Sequence, residues 1–558
     1  MKMPSAATTA GIYISDGART PAKEYQDGTV QVSVADGAPG VDGKAADGVL
    51  LTSSKYEATG LVVSNGHYRL GGGKDYYTVY SDIGKDYLGT STSTGKDKLG
   101  SFNSVLLLTL GDKVPKDANT GSSGVDADNQ SEVDIDNVYL QVDGAQRYVD
   151  STFAGAKTVI NDSYLVGTGN AGKLTSDIKV PFSNEALLIS GWSRTNFSVS
   201  HSTTYYFNST VVAEGWAALS TDACGGDGLD LYAYNTTAKA LNGGYGTYAD
   251  FGCRVWLYGS TLASAEIGAI ISKSGTIHLL DGAAVDRAVL AYNKGKTTTS
   301  PSILTGGRNA LMIHAPDMRG EGIGAVDYGH FFARNSTLST DRRLSSSFDY
   351  ATYGDAVKKY VDYISGDVIL VKSTSADIEL DNTKLESYNG VLFHTVLNSD
   401  RMGNYLAAGD NQKTKPDGSL IVKPITLGLS NLSASGALLH DDYQRNLEVK
   451  LAAASLTGKI VQGTFESWKA LWDGKGVATA NWLKDKNWSG SNTLTVALDA
   501  KSRWTVTDTS TLTGLDIAEG AQLAAAKGQR LVMTVDGVET PIAPGHYQGK
   551  IVISPKAG

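Results

Sequence analysis

The sequence is poor in cysteine, proline and charge, and these shortages argue against whole classes of protein. Two cysteines in 558 residues cannot by themselves build a structural zinc site. Charged residues make up 19% of the chain, the net charge is −9 and no basic run is present, which argues against a nucleic-acid partner. No apolar stretch reaches the roughly 20 residues of a transmembrane helix, so we expect no membrane span.

Common catalytic and metal-binding motifs are also missing. The chain has no glycine-rich loop followed by Lys and Ser or Thr to hold a phosphate, no His-Glu-x-x-His and no Gly-x-Ser-x-Gly. The acidic stretch 126–136 lacks the glycine and the terminal Glu of a calcium loop. We therefore expect no cofactor and no metal; a Ca²⁺ ion held by carboxylates and backbone carbonyls is the one alternative that the residues leave open.

What the sequence does contain is a repeat. Short apolar or aromatic runs end in Asn, Asp or Gly followed by a small residue, and these turn residues stand at positions 208, 235, 259 and 281. The successive differences are 27, 24 and 22 residues, within the range that marks a solenoid. The 64 glycines against 12 prolines favour many turns and strands and few long helices.

The same spacing extends in both directions and predicts stacked coils of β-strand. One coil cannot bury its own apolar side chains, so neighbouring coils share a core and pair their strands in parallel ladders. Asn, Asp and Gly tolerate the left-handed backbone of a sharp corner. We therefore predict an all-β fold, a parallel β-helix with Asn208, Asn235 and Gly259 in one file; a large β-sandwich is the alternative. Further turns of this kind are at Asn137, Asn161, Asn335, Asn382 and Asn431.

Two other features have a structural interpretation within such coils. The sequons that begin at Asn208 and Asn335 match a glycosylation acceptor, but we interpret them first as corners. Cys224 and Cys253 lie 29 residues apart, about one coil. They either form a disulfide between neighbouring coils or remain two buried thiols.

The chain divides into three parts by composition. Residues 1–130 are interpreted as an N-terminal cap and first coils, and 131–465 as the regular β-helix body. This body carries two polar loop insertions, 306–367 and 398–418. Residues 466–558 hold a tryptophan-rich segment and then C-terminal capping coils.

The C-terminal part carries a moderately specific motif. Its residues resemble the capping coils of bacterial autotransporter passengers of the pertactin kind, in which a similar run seals one end of a right-handed parallel β-helix. This resemblance implies a right-handed coil and a surface-displayed protein, and says little about activity. The matching positions are Trp504, Val506, Ser510, Leu512, Leu515, Ile517 and Gly520.

Charged residues crowd into the first insertion and suggest a catalytic site on residues 306–343 and the adjacent coil face. Two carboxylates about 5 to 9 Å apart can hydrolyse a glycosidic bond, whereas a lyase needs a base and a cation that stabilises the uronate. Aromatic side chains on the coils can stack on sugar rings. The candidate catalytic residues are His314, Asp317, Arg319, Glu321, Asp327 and His330, and the candidate substrate-binding residues are Tyr328, Arg334, Tyr205, Tyr232 and Trp192.

The expected function is extracellular glycan recognition or processing by a secreted or cell-surface monomer. No signal peptide follows Met1, and we expect a leader to have been removed. Two alternatives stay open: a polysaccharide lyase or glycoside hydrolase with its site on 306–343, and a purely structural adhesin in which the clustered charges only solvate a loop.

Overall fold

The structure, a computed structural model, is dominated by parallel β-sheet. Strand accounts for 63% of the described residues and helix for 4%, so the chain is an all-β protein and a parallel β-helix solenoid. The predicted fold class is therefore confirmed. The structure describes residues 11–14, 49–50, 61–64, 67–71, 77–81, 105–110, 132–143, 148–153, 155–168, 194–199, 201–214, 217–222, 229–250, 252–272, 274–314, 328–345, 361–372, 374–396, 413–414, 420–421, 424–442, 445–463 and 492–558.

The chain forms two compact units. The first comprises Met1–Lys179, Ala186–Gly268 and Leu280–Ser302. Its strands are β1 Gly11–Ile14, β2 Val49–Leu50, β3 Leu61–Ser64, β4 His67–Gly71, β5 Tyr77–Ser81, β6 Val105–Leu110, β7 Glu132–Asp136, β8 Val138–Asp143, β9 Tyr148–Phe153, β10 Lys157–Asn161, β11 Tyr164–Thr168, β12 Arg194–Val199, β13 Thr203–Phe207, β14 Thr210–Ala213, β15 Ala217–Asp222, β16 Asp230–Tyr234, β17 Thr237–Ala240, β18 Tyr245–Asp250, β19 Arg254–Tyr258 and β20 Thr261–Ser264.

In the first unit, three parallel ladders run from coil to coil. The first ladder runs β4–β7–β10–β13–β16–β19. The second runs β1–β5–β8–β11–β14–β17–β20, and the third β3–β6–β9–β12–β15–β18. Side chains alternate between the two faces of each strand, so every second residue enters the shared core. Leu231 and Val255, paired across two coils, are fully buried.

The corners between the first and second ladders form the predicted file. Asn208, Asn235 and Gly259 all have positive φ, between 49° and 55°. The Asn235 side-chain amide donates to Asn208 Oδ1 at 2.6 Å, so these corners occupy neighbouring levels. One coil earlier the left-handed residue is Asp162, one position after the predicted Asn161. Asn stands at such corners because its short side chain can bond locally in a backbone conformation that other residues avoid.

The small residue after each corner has its own role. It is buried, and its hydroxyl donates to the backbone carbonyl two residues earlier in the sequence. These residues are Ser163, Ser209, Thr236 and Ser260. Each hydroxyl also accepts a backbone N–H from a neighbouring coil, as Ser260 Oγ does from Thr236 at 3.1 Å. The repeated Asn-Ser/Thr pattern therefore satisfies backbone groups that a buried bend would otherwise leave unbonded.

The second unit comprises Val180–Glu185, Ala269–Leu279 and Ile303–Gly558. Its strands, the first two of which fall mostly within it, are β21 Ile267–Ser272, β22 Thr276–Leu280, β23 Ile303–Gly306, β24 Asn309–His314, β25 Tyr328–Arg334, β26 Thr337–Thr340, β27 Ile369–Lys372, β28 Ser375–Asp381, β29 Lys384–Glu386, β30 Val391–Val396, β31 Lys413–Thr414, β32 Leu420–Ile421, β33 Ile425–Ser430, β34 Ser433–Ser435, β35 Ala437–His440, β36 Leu447–Ala452, β37 Ser455–Thr457, β38 Ile460–Gln462, β39 Leu494–Leu498, β40 Arg503–Val506, β41 Ser510–Ile517, β42 Gln522–Ala525, β43 Gln529–Val535, β44 Val538–Glu539 and β45 Gly545–Ala557.

Parallel ladders also build the second unit. One runs β25–β28–β33–β36–β39–β41, and another β24–β27–β30–β35–β38–β41. Shorter ladders join β23–β26–β29 and β34–β37–β40–β42. The chain ends in antiparallel pairing of β41 and β43 with β45.

Two sequence predictions fall largely outside the described residues. Cys253 is buried against Leu229, but Cys224 is not among the described residues, so the disulfide stays a prediction. The three-part division of the chain is likewise untested. In the part that the structure describes, no helix combines the length and apolar character needed to cross a membrane.

Candidate functional site

The structure describes only some of the predicted site residues. Tyr205, Tyr232, His314, His330 and Arg334 are described with their side chains. For Tyr328 only the backbone is described, as the first residue of β25. Asp317, Arg319, Glu321, Asp327 and Trp192 lie outside the described residues.

The two predicted catalytic histidines lie on consecutive strands of the second unit in different environments. His314 ends β24 and its residue is 1% exposed, in register with the fully buried Lys372 of β27. His330 lies on β25 and is half-buried, with its Nδ1 3.9 Å from Asp377 Oδ2. Arg334, at the end of the same strand, is exposed. Their catalytic and binding roles stay predictions.

The two predicted tyrosines of the first unit do come together. Tyr205 on β13 and Tyr232 on β16 are paired in register, and their rings stack at 4.8 Å with 10° between the planes. Trp256, the next residue in register on β19, stacks on Tyr232 at 6.1 Å and 10°. Tyr292 stacks on the opposite face of the array, 4.8 Å from Tyr205. These four residues are called the aromatic file below.

Strand spacing explains the file. Neighbouring strands lie about 4.8 Å apart, close to the separation that stacked aromatic rings prefer. Aromatic residues in register on successive coils therefore stack without adjustment of the backbone. Tyr205, Tyr232 and Trp256 are each half-buried, and because their faces turn toward one another, their edges are directed to solvent. Each stacked pair contributes roughly 0.5–1.5 kcal/mol beyond its buried area.

A strap, residues 281–300, packs over the side of the file. It contains a 3₁₀ turn, Gly282–Ala284, and a short helix, α1, Arg287–Leu290. Asp281 and Asp286 begin them, each accepting a backbone N–H two residues ahead. Asp281 has φ −67°, so the predicted fourth corner of the repeat is instead the start of this strap.

The strap is bonded to coils far earlier in the chain. Asn161 donates its amide to the Tyr292 carbonyl at 3.1 Å and accepts the backbone N–H of Lys294 at 2.9 Å. Asn208 donates to Asn293 Oδ1 at 2.8 Å. The apolar side of the strap completes a core cluster on the outer face of the sheet, which contains Val159, Phe207, Tyr234, Tyr258 and Val289.

Ion pairs flank the file. Lys157 Nζ lies 2.7 Å from Glu132, donates to the Tyr292 hydroxyl at 3.2 Å and sits 4.7 Å from the centre of that ring. On the other side, Arg254 donates two hydrogen bonds to Asp230, at 2.7 and 2.6 Å. In each of these two pairs the cation and the anion therefore neutralise one another.

Burial and hydrogen bonding shift the pKa values of Tyr205, Tyr232 and Lys157. The pKa of Tyr205 and of Tyr232 is raised to about 12, mainly because partial burial disfavours the phenolate. Burial also lowers the pKa of Lys157, but its bonds to Glu132 and Tyr292 outweigh that effect and raise it. At neutral pH the file therefore presents uncharged phenols as hydrogen-bond donors and acceptors.

A second polar cluster lies in the second unit. His394, on β30, places Nδ1 2.6 Å from Asp367 Oδ2 and Nε2 3.1 Å from Asp441 Oδ2. Tyr363 donates to the same Asp441 oxygen and meets the imidazole edge-on at 5.0 Å. Burial lowers the pKa of His394, but the two carboxylates, Asp367 first, outweigh it and raise the value to about 9. The imidazolium therefore ties residues 361–367 to the sheet at neutral pH.

Next to it, His440 is held neutral. Burial lowers the pKa of His440 to about 4. Its Nε2 bonds the carbonyl of Arg445 at 2.9 Å and its Nδ1 lies 2.6 Å from Thr395 Oγ1. A neutral ring bonded this way donates from Nε2 and accepts from the Thr395 hydroxyl. Both side chains are fully buried, so the pair is placed to stabilise the interior.

The interior of the first unit holds a third polar group. Asp150 is 1% exposed, accepts from the Tyr206 hydroxyl at 2.8 Å and from the Asn196 amide at 3.0 Å. Burial raises the pKa of Asp150 to about 7, against the opposing effect of these two bonds. Its carboxyl therefore changes protonation near neutral pH.

Sequence reasoning missed Trp256 and Tyr292 of the file and the whole His394 cluster. For Trp256 a signal existed, because it follows Tyr232 by one repeat, at the same place in its strand. Tyr292 carried no such signal, since it lies on the strap outside the repeat. Among the residues that the structure describes, no group of three or more His, Cys, Asp or Glu is arranged to hold a metal ion.

No protein-family model matches the chain, and no curated protein is significantly similar to it.

Proposed function

We propose that this chain is an exported or cell-surface β-helix protein that recognises a glycan on the aromatic file of its first unit. The observation that carries the proposal is the alignment of half-buried Tyr205, Tyr232 and Trp256 on three successive coils. Tyr and Trp combine apolar area with a polar group at low entropic cost, which suits ligands that have both apolar C–H and hydroxyl surfaces.

Recognition is favoured over processing by the state of the polar groups beside the file. Asp230 already accepts two bonds from Arg254 and one from the Trp256 indole at 3.1 Å. A carboxylate whose two oxygens both accept hydrogen bonds from the protein is poorly placed to exchange a proton with a ligand. A lyase or hydrolase site on 306–343 remains the second candidate from the sequence, and no contact of the described residues favours it further.

Surface display of the pertactin kind is supported by the C-terminal coils. Trp504 is fully buried and its indole N–H donates to the Gly458 carbonyl at 3.0 Å. Val506, Leu512 and Leu515 of the same run are also buried. Large apolar side chains at these positions suit a coil that closes one end of a β-helix core, as in the right-handed passengers that the sequence resembles.

The direct test is glycan binding by the full chain and by a Tyr232→Ala variant. Removing the central ring takes away the contact surface between Tyr205 and Trp256, so we expect an affinity loss of about 10- to 100-fold. Binding is screened on a broad glycan panel, and the best ligand is then titrated by calorimetry.

A matched control separates the file from general aromatic exposure. Tyr388, in the second unit, is 38% exposed, and Tyr388→Ala should leave glycan affinity unchanged. Circular dichroism verifies that both variants are folded. Equal affinity of Tyr232→Ala and the unmodified chain would contradict the proposal, as would a chain that binds none of the glycans.

A further inference from the structure

The charged side chains Lys157 and Arg254, which flank the aromatic file, already form ion pairs within the protein. The Arg254 fork makes two bonds to one carboxylate, the geometry in which guanidinium binds an anion most strongly. Lys157 is shared between Glu132 and the Tyr292 hydroxyl. An anionic ligand would have to break one of these pairs and leave a carboxylate uncompensated.

The polar groups of the file that face solvent are uncharged. The phenols of Tyr205 and Tyr232, on partly buried side chains, can each act as hydrogen-bond donor and acceptor. The chain as a whole carries a net charge of −9, which adds long-range repulsion for an anion.

The file also has a direction. It crosses the strands, and the ring centres from Tyr205 to Tyr232 and from Tyr232 to Trp256 are 4.8 and 6.1 Å apart. A ligand that touches all three side chains must extend along this line over two steps. A single sugar ring is too short to do so.

We propose that the ligand of the file is a neutral, linear oligosaccharide of about three or more units that lies across the strands. This inference rests on the proposed function and specifies its ligand class. Uronate, sialylated and sulfated glycans fit this surface less well, because Lys157 and Arg254, the cations that flank the file, are each paired with a carboxylate.

The experiment compares neutral and acidic oligosaccharides of equal length. The full chain is titrated with gluco-, manno- and galacto-oligosaccharides of one to six units, and with oligogalacturonate and alginate oligomers, at about 150 mM salt. We expect neutral ligands to bind at least tenfold more tightly than acidic ones, with affinity rising up to about three units.

A charge variant sharpens the test. Asp230→Asn releases the Arg254 fork beside the file, and should raise the ratio of acidic to neutral affinity several-fold. The control is Asp341→Asn in the second unit, which releases Arg343 from an equally close pair at 2.6 Å and should leave the ratio unchanged.

The outcomes are distinct. Acidic oligomers that bind the unmodified chain as tightly as neutral ones overturn the ligand class but leave glycan recognition standing. Monosaccharides that bind as tightly as trimers overturn the extended mode alone. If no glycan binds, the proposed function itself fails, and this inference fails with it.

Discussion

Asp150 is a single acidic side chain in the interior of the first unit, and its titration couples the stability of that unit to pH. Its pKa is about 7 in the folded chain, against 3.8 for an ordinary aspartate, which represents the unfolded chain. A group with a raised folded pKa contributes its stability fully below pH 3.8, and that stability is lost as pH rises to 7. The whole change is on the order of 4 kcal/mol.

We therefore expect Asp150→Asn to be more stable than the unmodified chain above pH 7. The amide keeps a hydrogen-bonding side chain of the same shape and cannot ionise in the core. Urea midpoints between pH 4 and 9 measure this, with Asp508→Asn as an exposed control. If Asp150→Asn and the unmodified chain lose stability in parallel as pH rises, burial does not set this titration.

How far single residues could be predicted depends on whether they belong to the repeat. Asn208 and Asn235 were predictable as corners, because a left-handed bend selects Asn wherever it recurs. Asp150 was not, since nothing in Tyr148–Phe153 indicates that one acidic residue of the strand points into the core. Local sequence gives alternation along a strand, but the partners Asn196 and Tyr206 come from other coils.

Among the elements, residues 361–367 depend on one imidazolium. The groups that face His394 are Asp367, Asp441, Tyr363 and, through space, His440. The folded pKa of about 9 lies above the ordinary 6.5, so this contribution is fully present below pH 6.5 and is lost as pH rises through 9. Its size is roughly 3 kcal/mol.

We expect His394→Gln to release this segment from the sheet at pH 7. A neutral amide leaves the buried Asp367 and the partly buried Asp441 without a cation between them. Amide hydrogen exchange, corrected for intrinsic rates, should show faster exchange in 361–367, and raising the pH to 10 should do the same in the unmodified chain. His330→Gln, at a half-buried site, is the control. Protection of 361–367 that is identical in the unmodified chain and both variants would show that His394 does not hold this segment.

Elements within the repeat were predicted well, and those that leave it were not. The strands and their register follow from apolar runs at a nearly constant step. The strap was missed because Asp281 satisfies the corner pattern while its actual role is to cap a 3₁₀ turn. The His394 cluster was missed because its members stand 27 and 47 residues from the histidine, with no common spacing.

At the scale of the whole molecule, a solenoid is stabilised mainly by contacts between neighbouring coils, so its ends matter more than those of a globular domain. Trp504 closes such a contact through its buried ring and its bond to Gly458. Trp504, Val506, Leu512 and Leu515 are buried, as their apolar spacing predicts, and their role as a cap stays a prediction. The aromatic file was only half predictable from the sequence, since it combines coils with a strap.

We expect Trp504→Ala to destabilise the C-terminal coils by about 3–5 kcal/mol, because it empties the largest buried side chain there and removes an indole donor. Hydrogen exchange should rise first in β37, β40 and β42, and least in β25 and β28. Val538→Ala, at a residue 68% exposed, is the matched control. Uniform loss of protection over all these strands would show that the coils unfold as one cooperative block.

The strap is synthesised well after the coils that it covers. Phe207 and Tyr234 are covered by residues made far later, and the bond from Asn208 to Asn293 spans 85 positions. At a synthesis rate of roughly 5–20 residues per second, the apolar surface around Phe207 would stay uncovered for about 4 to 17 seconds. During this interval the exposed surface could be protected by a chaperone that binds unfolded chains, or by a channel that keeps the polypeptide extended.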